Sequence, residues 1–171
     1  MKFLHKVYMN IPQRYIPKSL SFYDTGKQRR NINKSRKLYK KGVYFTRPKV
    51  KTFKSKPSQH IKNAMKMYGV KKVVPNRELS RKTKCSLSSL QKIVSKGEGA
   101  YFSSGSRPNQ TARSWGLARL ASSVTGGKAS IVDYDILKNG CQSDSKALRA
   151  ATRTCHKAGK CKNKTVKKSP K

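Results

Sequence analysis

Four cysteines and three histidines are the residues through which this chain could do metal, redox or proton-transfer chemistry. Cys141, Cys155, His156 and Cys161 form a C-x13-C-H-x4-C pattern with the ligand types of a zinc site. Its spacing is not a paired one, and the adjacent Cys155 and His156 are poorly placed to share one ion, so no metal is assigned. Free buried thiols rank first for Cys85, Cys141, Cys155 and Cys161, and a disulfide between two of the C-terminal cysteines ranks above zinc. His5, His60 and His156 each stand in basic sequence, with no carboxylate pair beside a nucleophile motif. Asp133 and Asp135 read as helix-surface charges. Gly97, Gly99 and Gly105 do not have a phosphate-loop spacing, and the TGGK at 125–128 lacks the preceding glycine of a P-loop. The expectation is a protein without catalytic residues, cofactor, bound metal or small-molecule substrate.

Charge is the dominant chemical signal. The chain has 42 Lys and Arg against six Asp and Glu, a formal net charge of +36. Six carboxylates cannot neutralise that many cations, so a polyanionic partner is expected to relieve the self-repulsion. The cations concentrate in two stretches interleaved with Tyr39, Tyr44, Phe45 and Phe53. Lys27, Arg29, Arg30, Lys34, Arg36, Lys37, Lys40 and Lys41 form the first, and Lys49, Lys51, Lys54 and Lys56 the second. These are the candidate polyanion-binding residues, and a further basic run closes the chain at 167–171. Lysine and arginine neutralise phosphates, and neighbouring aromatic rings can stack on unpaired bases. The same cations would serve an acidic protein surface or anionic lipid.

The elements that must position these side chains are short helices. Ser21 three residues before Asp24 opens a cationic helix to about 39 with little apolar surface to bury. Residues 43–53 read as a short strand or an extended loop interrupted at Pro48. Ser58 and Gly69 bracket a helix whose Ile61, Ala64, Met65 and Tyr68 share a face. Asn76 and Ser86 cap two more helices, with Gly97 closing the second. Leu79, Leu90 and Ile93 fall where a helix-turn-helix buries its inward residues, and Gln91 and Lys92 would then face base edges. Residues 98–110 read as an irregular loop anchored by Tyr101 and Phe102. Thr111 caps a helix to about 124 carrying Trp115, the only tryptophan, and a face of small residues. A helix at 129–137 and a last one opened by Ser143 or Ser145 complete the set. The fold class is mainly α: a small bundle of short helices with an extended N-terminal arm and a basic C-terminal tail. Three parts are expected, a basic arm and cationic helix (1–57), a helical core with Trp115 (58–141) and a short helix with its tail (142–171). Tyr101, Phe102 and Trp115 are the structural anchors. The stretch 97–128 is the hub of the core. No apolar run approaches the roughly 20 residues that span a bilayer, and the first residues lack the pattern of a secretory signal.

The segments RYIPKSLS, KTFKSKPSQHI, CSLSSLQKIVSKGEGAYFSSGSRPNQTARSWGLARLAS and TGGKASIVDYDILKNGC resemble a family of small basic proteins of large icosahedral DNA viruses of algae, such as chloroviruses. The resemblance runs from about Arg14 to Cys141 and brings no catalytic or binding residues with it. It implies a virion protein assembled in the host cytoplasm: a minor capsid protein bound to major and minor capsid neighbours, with DNA or an anionic membrane on its inner side. The alternative is a viral DNA-binding or genome-condensing protein using the helix-turn-helix-like segment and the basic stretches.

Overall fold

The computed structural model describes residues 10–161, and the arm residues 1–9 and the tail 162–171 with its basic run lie outside them. Among the described residues a 3₁₀ turn (Gln13–Tyr15) is followed by eight α-helices: α1 (Phe22–Tyr39), α2 (Gln59–Tyr68), α3 (Arg77–Thr83), α4 (Leu87–Ser103), α5 (Ala112–Val124), α6 (Lys128–Val132), α7 (Tyr134–Gly140) and α8 (Lys146–Lys157). The protein is thus mainly α, as its periodicity predicts, and residues 43–53 form no strand. Two compact units divide the chain, one made of Met1–Lys56 with Glu98–Trp115 and the other of Pro57–Gly97 with Gly116–Lys171. Each is discontinuous, which a division at 57/58 and 141/142 does not anticipate.

In the first unit α1 starts where Ser21 accepts a hydrogen bond from the Asp24 amide at 3.1 Å. Ile32 is the apolar centre of its buried face, and the rest of that face is polar: Asp24, Gln28, Ser35 and Arg36. The chain then turns at Gly42, whose φ of +76° suits glycine, and runs back along α1 as an irregular strap over 43–56. Contacts at Phe45 with Lys34, Arg47 with Ser35, Lys49 with Lys27, and Thr52 with Asp24 fix its antiparallel course. The described part of the N-terminal arm does not stay loose: Tyr15, Ile16 and Leu20 pack with Ile32 and Val50, and Phe53 and Trp115 lean on this cluster. Tyr15 meets Trp115 edge to face at 5.8 Å.

The second unit is the helical bundle. Its core joins Ala64 and Tyr68 of α2, Leu79 of α3, Leu90 and Ile93 of α4, Leu120 and Val124 of α5, Leu137 of α7, and Ala147 and Ala151 of α8. Gly97 does not close a helix here. It lies within α4 against Gly116 of α5, and a methyl group on it would stand 2.7 Å from the Gly116 Cα. The helix expected at 129–137 is two helices joined at Asp133. Asp133 is fully buried, so it is not a surface charge. It receives two hydrogen bonds from Arg119 at 2.7 and 2.9 Å and one from Ser123 at 2.7 Å, with the Lys96 ammonium at 3.2 Å. All four cysteines are paired, Cys85 with Cys141 and Cys155 with Cys161, which corrects the expectation of free thiols. The Ser145 hydroxyl caps α8 and donates to the Thr83 carbonyl at 2.6 Å.

Candidate polyanion-binding surface

Helix periodicity decides which cations of α1 face solvent. Arg30, Lys34 and Lys37 follow an i, i+4, i+7 pattern, and these and Lys41, in the turn just past the helix end, are exposed. They form a ridge whose helical part is roughly 10 Å long at the rise of an α-helix. Arg29 and Lys40 flank it, and Lys49, Lys51, Lys54 and Lys56 are exposed along the strap. Lys27 is only half exposed and donates to the Lys49 carbonyl at 3.1 Å.

Arg36 does not belong to this surface. It is 7% exposed, and its Nε and an Nη donate to the Ser104 carbonyl at 3.0 and 2.7 Å. Its place in a run of cations hides that it falls on the inward face with Ile32 and Ser35. Arg47, on the strap, is a buried cation that the basic pattern does not single out. Its guanidinium donates to the Tyr101 carbonyl at 2.8 Å, to Ser35 Oγ at 3.1 Å and to Ser106 Oγ at 2.7 Å, and lies 3.7 Å from the Tyr101 ring centroid. Its amide also donates to the Tyr101 hydroxyl at 3.1 Å. Burial lowers its pKa from the usual arginine range. Tyr101 and Phe102 are anchors, as their type predicts, but they stand on the last turns of α4, which runs through Gly97 and Gly99 to Ser103. Residues 98–103 are therefore helix, and the irregular segment is 104–110. There Asn109, at a φ of +59°, ties the strap by receiving the Val50 amide at 2.8 Å and donating to the carbonyls of Val50 and Phe53.

The acids of the first unit are Asp24 and Glu98, and both are engaged by partners other than the ridge cations. Asp24 accepts the Thr52 amide at 2.8 Å and the Thr52 hydroxyl at 2.7 Å, and these bonds hold its pKa below the usual carboxylate value. Glu98 meets Arg113 at 3.3 Å. The ridge thus presents its positive charge to solvent.

The helix-turn-helix reading fares differently. Asn76 and Ser86 do cap α3 and α4, and Lys84 takes the left-handed turn at φ +56°. Gln91 and Lys92 are exposed. Yet the first turn of α4, which would have to enter a groove of DNA, is packed on one side by the end of α7, while Ser86 and Ser88 stay exposed. The Ser86 amide donates to the Gly140 carbonyl at 2.7 Å, the Gln142 amide donates to the Lys84 carbonyl at 2.9 Å, and Ser89 is buried against Gly140. The Cys85–Cys141 disulfide fixes this packing. Two shallow grooves flank it, sharing Ser86, Asn139 and Gly140. Among the described residues no three His, Cys, Asp or Glu side chains converge as a metal site, and no helix is long and apolar enough to cross a membrane.

A family model described as a family of unknown function, DUF5824, matches residues 12–141. The chain belongs to this family. The DUF5824 match begins at the 3₁₀ turn, takes in the ridge, the strap and α2 to α7, and ends at Cys141, so that α8 and the second disulfide lie beyond it. No curated protein and no solved structure matches the chain.

Proposed function

We propose that this DUF5824 protein is a structural component of a nucleoprotein particle that binds the phosphate backbone of nucleic acid without reading its sequence. The observation that carries this reading is the exposed cationic ridge of α1 with the parallel set of strap lysines, on a unit whose two acids are occupied elsewhere. Each phosphate contact releases a condensed counterion, so affinity for duplex DNA falls with salt at a slope of about −0.9 per neutralised phosphate. Replacing Lys34, Lys37 and Lys41 together by Gln is expected to reduce that slope by two to three, measured by fluorescence anisotropy across a salt series. An unchanged slope places the contact elsewhere and defeats the reading. The end of α7, packed against one side of the first turn of α4, favours backbone binding over base recognition, and Gln91→Ala is expected to leave sequence preference unaltered.

A second reading, a minor capsid protein held between shell subunits of a large DNA virus, is favoured by one different observation. Phe22 and Tyr23, side by side at the start of α1, are 98% and 71% exposed. An adjacent apolar pair on a surface this cationic suits a protein neighbour. Under this reading Phe22→Ser with Tyr23→Ser releases the chain from assembled shells and leaves its DNA affinity intact. Recovery of the protein with the DNA of disrupted particles, and none with the shells, decides for the first reading.

A further inference from the structure

At the end of α1 stands a group of aromatic rings of which the packing of the first unit leaves one, Tyr44, largely exposed. Tyr39, at the last turn of α1, and Phe102, on α4, lie nearly parallel at an interplanar angle of 7° and 6.2 Å between centroids. Tyr44, on the strap, stands roughly perpendicular to both, 5.9 Å from Tyr39 and 5.1 Å from Phe102. Phe102 is buried, Tyr39 half-buried, and Tyr44 70% exposed. The inner rings hold the outer one at a fixed tilt while most of its surface meets water. Its neighbour Val43 is also exposed.

The residues next to this ring in sequence are rich in positive charge. Lys40 and Lys41 precede it across the Gly42 turn, Lys37 lies one turn back on α1, and the Lys34 ammonium sits 4.6 Å from the centroid of Phe45. A solvent-exposed, braced aromatic ring costs a soluble protein hydration of apolar surface, and the core clusters gain nothing from it. An acidic protein surface would be satisfied by the lysines alone. A polymer that pairs each negative charge with a flat apolar group would use both: phosphates on the ridge and a base on the ring. Bases inside a duplex are stacked on each other and present no free face, so the polymer is single-stranded.

We infer that the Tyr44 platform, with Lys34, Lys37, Lys40 and Lys41, is a binding site for single-stranded nucleic acid in which Tyr44 stacks on an unpaired base. This rests on the backbone-binding reading above and names the strand state that the surface prefers. Because every base has a stacking face, the site has no sequence code.

The test compares two probes of equal length and charge, a labelled oligothymidylate and its fully abasic counterpart, against the full chain at fixed salt. Wild type is expected to bind the oligothymidylate about tenfold more tightly, in line with the contribution of one stacked base. Tyr44→Ala should abolish the difference by weakening only the oligothymidylate complex, while Tyr44→Trp should retain it. Tyr44 is exposed, so the helical circular dichroism of both variants is expected to match wild type. Equal affinity of wild type for the two probes overturns the inference and leaves backbone binding standing. A Tyr44→Ala loss that is equal on both probes overturns it as well, because the ring would then act only through the local fold. Failure of wild type to bind either probe or duplex DNA removes the backbone reading and this inference together.

Discussion

Arg47 offers the most direct test of how the first unit is held together. It is a cation at 7% exposure in a protein already carrying a net charge of +36, and among the described residues no carboxylate forms an ion pair with it. What compensates it is a set of neutral acceptors, one carbonyl and two hydroxyls, and the face of Tyr101. Hydrogen bonds from a charged donor each contribute about 1.5–3 kcal/mol, and part of this offsets desolvation of the guanidinium. Arg47→Ala removes all of them and leaves the Tyr101 carbonyl without its guanidinium donor, so the net loss is expected at about 3–5 kcal/mol. For a chain of this size that corresponds to roughly 10 °C in Tm. Trp115 is the only tryptophan and lies in the same unit, so urea unfolding followed by its fluorescence reports this unit directly. Arg47→Lys is the discriminating variant. An ammonium is a point donor that cannot span three acceptors and stack at once, so it should recover less than half of the loss. Full recovery by lysine, or an alanine variant within about 1 kcal/mol of wild type, refutes the claim that the planar guanidinium organises the strap.

Three further outcomes follow from the geometry. Reducing the disulfides should destabilise unequally: the chain-entropy cost is about 4 kcal/mol for the 56-residue separation of Cys85 and Cys141 and about 2 kcal/mol for the six-residue separation of Cys155 and Cys161. Denaturant midpoints of the two Cys→Ser pair variants measure this, and equal losses contradict it. Gly97→Ala should destabilise by about 2 kcal/mol although alanine is the better helix former by roughly 1 kcal/mol, because the methyl meets the Gly116 backbone; a gain in stability shows that the two helices can separate freely. Asp24 has its pKa lowered by the Thr52 bonds, so its contribution is present above the unfolded value near pH 4 and is lost as pH falls through the folded one. Urea midpoints of wild type and Asp24→Asn are expected to differ at pH 7 and to approach each other only as pH falls below the usual carboxylate range and through the lowered folded value, and parallel curves show that the carboxylate does not anchor the strap.

Local chemistry was readable along the chain, and long-range packing was not. Ser21, Asn76, Ser86, Thr111 and Ser145 all accept an amide at the helix starts that their types predict, since a cap depends on residues three positions apart, whereas Ser58 precedes α2 without a side-chain cap bond. Gly97 and Gly99 misled because glycine is a poor helix former, whereas here Gly97 is fixed by the close approach of Gly116, a partner distant in sequence. Arg36 and Arg47 were hidden by their neighbours: a cation among cations reads as solvated, and the backbone and hydroxyl oxygens that help make their burial tolerable come largely from 101–106, distant in sequence. The outward cations of α1 follow from helical periodicity alone, which is why most of the candidate surface was legible. Asp133 was missed for the converse reason, because its partners Arg119 and Lys96 lie on other helices.

The interleaving of the two units along the chain sets the order in which the molecule can be made. Residues 1–56 lack the segment that supplies Tyr101, Ser104, Ser106 and Asn109, on which α1 and the strap depend. Residues 57–97 likewise wait for 116–161 to bring the rest of their core. During synthesis, therefore, the cationic helix emerges early with no completed unit to receive it, and its first unit closes only after the intervening bundle segment has left the ribosome. Non-local closure of this kind is slow. It leaves a highly charged, unfinished segment exposed for as long as translation of the following residues takes, and in that interval any polyanion nearby competes with the chain itself for the same arginines.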